Sequence, residues 1–145
     1  MAAGYSATPL WKKLGVKEGT KLTLLDAPRG WSVPDLPRGA AAARERWDGR
    51  EDATELIVAF CRELALLREW IAVLGSRVFP DGALWVAWPR RAAGHISDIR
   101  EQDIREVALP VGLVDVKVAA LDEDWSGLRV VWRRERRQTS RATPG

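Results

Sequence analysis

The amino-acid sequence predicts an α/β domain built on one mostly parallel sheet that ends in an antiparallel hairpin. Three observations carry this reading. Two apolar runs of strand length, TELIVAFC (54–61) and ALWVAWP (83–89), have the continuous hydrophobicity of strands buried on both faces. Each is followed by a segment with helical spacing, and strand–helix–strand repetition requires right-handed crossovers and parallel strands. The last two apolar segments, 113–121 and 127–134, are joined by the acidic turn DEDWSG, which is too short for a parallel crossover.

In chain order, TKLTLLDAP (20–28) reads as a first strand, bounded by Gly19 and stopped by Pro28. The next stretch, 28–39, holds three prolines and two glycines, which exclude a long helix or central strand. Segment 40–47 is open: its alanines and arginines favour helix, but its place between turn signals suits a short edge strand. After the 54–61 strand, Phe60, Leu64, Leu67, Ile71 and Leu74 form one helical stripe, with Gly75 as the expected stop. FPDG (79–82) is a turn into the second doubly buried strand. Asp98 with Glu101 has the capping-box spacing for a helix that turns Ile99, Ile104, Val107 and Ala108 to the core, ended by Pro110 and Gly112.

Composition bounds the possibilities. At 145 residues and 46% hydrophobic, the chain is about one domain with a core of its own. A single cysteine, Cys61, excludes an internal disulfide and a four-cysteine zinc site. Neither a signal segment nor a run of bilayer-spanning length is apparent, so a cytoplasmic protein without membrane contact is expected. The net charge of +3 is concentrated at the C-terminus, where residues 133–145 hold five arginines against one glutamate. The expected division is a nearly neutral domain at 1–134 and a basic, disordered tail at 135–145.

The order of elements is Rossmann-like and resembles a truncated methyltransferase fold, an analogy that does not transfer activity. Three blocks, GYSATPLWKKLGVKEG, GALWVAWPRR and GLVDVKVAALDEDWSGLRVVWRR, resemble a bacterial family known as domain of unknown function 3052. The resemblance runs from about Tyr5 to Arg134 and implies the same shell. In that family the second block usually ends Trp-Pro-Lys-Lys; here it is Trp88-Pro89-Arg90-Arg91, and Ala119 stands where a cysteine is common.

Candidate chemistry is sparse. The turn LLDAPRGW lacks the closely spaced glycines that let a backbone approach a nucleotide, so no cofactor is expected. His95, Ser97 and Asp98 are triad residue types, but they are nearly adjacent, whereas a triad converges from separate elements; a loop histidine and a helix cap is the simpler reading. Asp122, Glu123 and Asp124 read as a solvated turn rather than a metal site. Of the eight tryptophans, Trp85 and Trp132 are expected in the core, leaving Trp31 and Trp125 as candidate exposed stacking platforms. Lys117 and Asp115, two apart on one strand, are expected to pair on one sheet face.

The candidate ligand site is the carboxyl end of the sheet, where open α/β folds bind. Trp88, Arg90, Arg91 and His95 follow the second tryptophan strand, Asp26 ends the first strand, and Arg62 ends its expected neighbour. Paired guanidiniums suit a carboxylate or phosphate, although arginines also flank buried strands for solubility. The expected role is a non-catalytic domain that binds a partner protein or small anionic ligand. The alternative is an enzyme on a small acidic substrate with His95 as its acid–base group. A weaker one is sequence-independent nucleic-acid association through the tail.

Overall fold

The computed structural model describes residues 8–137. A short helix, α1 (Leu10–Leu14), precedes strands β1 (Lys21–Leu25), β2 (Ala41–Glu45) and β3 (Leu56–Phe60). Helix α2 (Leu64–Val78), strand β4 (Ala83–Pro89), helix α3 (Glu101–Ala108) and strands β5 (Leu113–Ala120) and β6 (Trp125–Trp132) follow. The six strands form one sheet in the order β2-β1-β3-β4-β6-β5. β1 to β4 are parallel; β6 is reversed, lying antiparallel between β4 and β5. The open segment 40–47 is therefore a strand at residues 41–45. Pairing with β1 overrides its helical propensity, because only an extended chain completes the ladder beside Leu22 and Leu24.

β3 and β4 are buried along their whole length, as continuous apolar strands require. On one face of the sheet, α2 and α3 pack Leu67, Ile71, Leu74 and Ile104 against Ile57, Leu84 and Val86. On the other, α1 and the chain after β1 bring Leu14, Val16, Trp31 and Val33 over Val58, Phe60 and Trp85. Phe60 thus belongs to strand β3 and the opposite core, not to the α2 stripe: alternation along a strand sends it away from Ala59.

Gly75 does not stop α2, which runs to Val78. Its missing side chain instead admits the hairpin, since a Cβ there would lie 3.1 Å from Leu113 Cδ1 and 3.4 Å from Trp132 Cζ2. Trp132 Nε1 donates to the Gly75 carbonyl at 2.8 Å, and Thr54 N and Gly82 N donate to the Arg77 and Val78 carbonyls at 2.9 and 2.8 Å. Carbonyls that a helix end leaves without partners are thereby satisfied. Asp98 is likewise no cap for its own helix. Its Oδ1 accepts from Leu64 N at 2.9 Å, at the start of α2, while Asp103 accepts from Arg100 N at 2.9 Å at the start of α3.

The expected pairing of Asp115 with Lys117 fails because a β-bulge lies between them, and the shift of register sends the two side chains to opposite faces. Asp115 bonds Arg105 of α3 at 2.9 Å, which holds its carboxyl below the ordinary range, whereas Lys117 Nζ donates to the Lys13 carbonyl. At the outer edges, β5 carries this bulge and both charges, while β2 pairs only with β1 and presents Ala41, Ala42 and Ala43 exposed. Beyond β6, residues 134–137 make one helical turn, with Arg137 N bonded to the Arg133 carbonyl at 3.1 Å. The rest of the expected tail, 138–145, lies outside the described residues. No helix among the described residues is long and apolar enough to cross a membrane.

Candidate functional site

The carboxyl ends of β3 and β4 meet the β5–β6 turn because the sheet register places Pro89 opposite Trp125. Asp124 therefore arrives beside the chain that leaves β4, and Arg90 N donates to its carbonyl at 2.8 Å. Between these segments lies a pocket of about 180 Å³ lined by Pro28, Arg62, Pro89, His95, Asp124 and Trp125. The Arg62 guanidinium sits over the Trp125 ring, 4.9 Å from its centroid, a cation–π contact. His95 Nε2 lies 2.8 Å from Asp124 Oδ1.

Asp122 fastens the walls. Its Oδ1 accepts from the Asp124 and Trp125 amides, both at 2.8 Å, and its Oδ2 accepts from Trp31 Nε1 at 2.8 Å. The loop after β1 is thus tied to the hairpin turn. Trp31 and Trp125 are not exposed platforms: Trp125 is 6% exposed, and both indoles pack edge-on to Phe60.

Arg62 and His95 are thus brought together, and the other predicted residues go elsewhere. Trp88 is 8% exposed and packs in the core on the α2 side. Arg90 donates through Nη1 to the Asp122 and Glu123 carbonyls, both at 3.2 Å, and Arg91 donates to the Ser97 carbonyl at 3.2 Å. These two arginines bind loop backbone, side by side in sequence but on different segments.

Asp26 lines a separate, more open crevice of about 550 Å³ at the ends of β1 and β2, with Arg29, Arg44, Glu45 and Arg46. It holds a left-handed backbone, φ 55°, and its Oδ1 accepts from Trp47 N at 3.1 Å. Arg44 reaches across the loop after β1 and donates to the carbonyls of Trp31, Ala27 and Pro28. Glu45 faces Arg77 at 3.1 Å and Arg50 at 3.4 Å.

Sequence reasoning missed Asp124 and Trp125 as pocket walls. The signal was the hairpin register, which becomes readable only once β6 is known to pair with β4. No cluster of three metal-ligating side chains occurs among the described residues. Cys61 directly follows β3 and is fully buried, and desolvation, with the Asp26 charge adding to it, pushes its thiol up to about 12. A thiol reagent at pH 8 is therefore expected to leave native protein unlabelled and to react with one thiol per chain in denaturant. The raised value also costs alkaline stability, which is lost as pH climbs from 9.0, the ordinary value, toward 12. Rapid labelling of the native protein would contradict this.

No family model and no curated protein matches the sequence. Several solved structures share its architecture. The fibrillarin pre-rRNA processing protein of Methanococcus jannaschii superposes with a TM-score of 0.58 at 14% identity, covering 89% of this chain and 70% of that one. Magnesium protoporphyrin IX methyltransferase from Synechocystis PCC 6803 gives 0.54 at 8% identity, over 86% and 74% of the two chains. A SAM dependent methyltransferase from Aquifex aeolicus gives 0.53 at 12% identity, over 83% and 86%. Likeness at these identities is a likeness of fold, and the fold of this chain is methyltransferase-like, a mostly parallel sheet with an antiparallel end.

Proposed function

We propose that this domain is a methyltransferase-like shell that holds a small anionic ligand between Arg62 and His95 and does not transfer methyl groups. The observation that carries the reading is the pocket itself, with a guanidinium stacked on Trp125 beside an imidazole, at the end of the sheet where α/β folds bind. A carboxylate or single phosphate matches its volume of about 180 Å³ better than a nucleotide does. The crevice at β1 and β2 supports the second half of the proposal. The loop after β1 has no closely spaced glycines, and Arg44 already binds its carbonyls. Glu45 ends the second strand, where dinucleotide folds place an acid for the ribose, yet its carboxylate is held by Arg77 and Arg50. The contact between His95 and Asp124 favours one alternative, an enzyme on a small acidic substrate, because a carboxylate orients an imidazole for proton transfer.

Titration calorimetry with citrate and with phosphate tests the reading. Binding is expected to weaken by roughly tenfold or more in Arg62→Ala/His95→Ala, the scale of a lost charge-assisted hydrogen bond. Both side chains are exposed, so the thermal transition should hardly move. Saturable micromolar binding of S-adenosylmethionine, or anion binding indifferent to the double substitution, would sink the proposal.

A further inference from the structure

At the opposite end of the sheet, where β1, β3 and β4 begin, Gly15, Lys17, Thr20, Thr54 and Arg129 line a groove of about 380 Å³. Arg129 stands in β6 directly across from Lys117 of β5, and like charges in that relation repel. Lys117 turns its ammonium to the Lys13 carbonyl, 3.2 Å away. The Arg129 guanidinium instead lies under the end of α1, with Nη2 3.7 Å from where a Gly15 side chain would begin. Its Nε is buried and has no hydrogen-bond partner among the described residues. Burial also draws its pKa below the ordinary arginine value. The residue as a whole is half-buried, and an anion or acceptor beside its unpartnered Nε–H would offset the partial loss of water.

Hydroxyls stand around the same groove. Thr20 Oγ1 accepts from Lys17 N at 2.9 Å, which leaves its own proton to donate. Thr54 Oγ1 lies 3.3 Å from Thr23 Oγ1. Glu55 and Asp81 also line the groove, and Glu55 accepts from Lys21 N at 3.1 Å. Their charges disfavour a polyanion.

We propose that Arg129, Lys17, Thr20 and Thr54 form a second anion site, for one compact phosphate or carboxylate group, at the amino-terminal end of the sheet. The site is independent of the Arg62 pocket, which lies at the other end of the strands.

The test is a titration of ¹⁵N-labelled full-length protein, with inorganic phosphate in one arm and acetate in the other, followed by NMR. The expected result is saturable movement of the Arg129 Nε–H resonance and of the Gly15, Thr20 and Thr54 amides, in either arm. Which arm saturates first identifies the anion class. Arg129→Met should weaken binding at those amides by roughly tenfold or more while leaving anion-induced shifts at His95 and Trp125 unchanged. An unmoved Arg129 Nε–H in the folded wild type would overturn the proposal, as would undiminished amide shifts in the methionine variant. The wild-type measurement decides the matter even where the variant folds poorly.

Discussion

Replacing Trp85 with alanine is expected to lower folding stability by about 3–5 kcal/mol, the range for large aromatic truncations in cores. The indole is fully buried at the centre of β4, inside the core between the sheet and α1. It lies over Gly127 of β6, where an added Cβ would sit 2.9 Å from its Cε3. Its Nε1 donates to the Leu14 carbonyl at 3.0 Å, so the truncation empties a cavity and also leaves a buried acceptor unpaired. Phenylalanine separates the two effects, because it refills much of the volume and restores no donor. Urea unfolding followed by circular dichroism measures both variants. A loss below about 1 kcal/mol for the alanine variant would mean that α1 is not held to the sheet through this residue.

Glu45→Ala is expected to cost about 3 kcal/mol, the lower part of the range for breaking a buried ion pair on one side. Arg77 is 2% exposed near the end of α2, and it faces Glu45 at 3.1 Å and the more exposed Asp52 at 3.8 Å. Its Nε also donates to the Asp52 carbonyl at 2.7 Å. Removing Glu45 strands a cation inside the protein with weaker compensation. Adding Arg77→Leu should recover much of the loss, because an apolar side chain needs no counter-charge. A double-mutant cycle read by urea unfolding gives the coupling. Additive losses would show that Glu45 has no structural hold on Arg77 and would reopen it as a ligand for the β1–β2 crevice.

The strands and crossovers were legible because local patterns encode them. Continuous apolar runs marked β3 and β4, and the spacing of Leu67, Ile71 and Leu74 marked α2. What stayed hidden depended on contacts distant in sequence. Gly75 looks like a helix stop until Leu113 and Trp132 are known to press against it. Asp98 looks like a cap, and it is one, for a helix that starts 34 residues earlier. The candidate pocket was legible to the level of which end of the sheet to examine, and Arg62 and His95 are among the residues that line it. Residue type alone did not show that Arg90 and Arg91 donate to loop carbonyls, since a guanidinium suits carbonyls as well as anions.

The unequal edges of the sheet decide how copies of this fold could add to one another. A filament needs two different open surfaces, head and tail, so that each addition regenerates the site for the next. The bulge of β5 disrupts the ladder of one of them. Among the described residues β2 is then the regular open edge, with exposed Ala41, Ala42 and Ala43 beside Arg44 and Glu45, and a strand that meets only its own copy does so across a two-fold axis. Such a contact consumes both free edges at once. Growth by strand addition would therefore halt at a pair of chains.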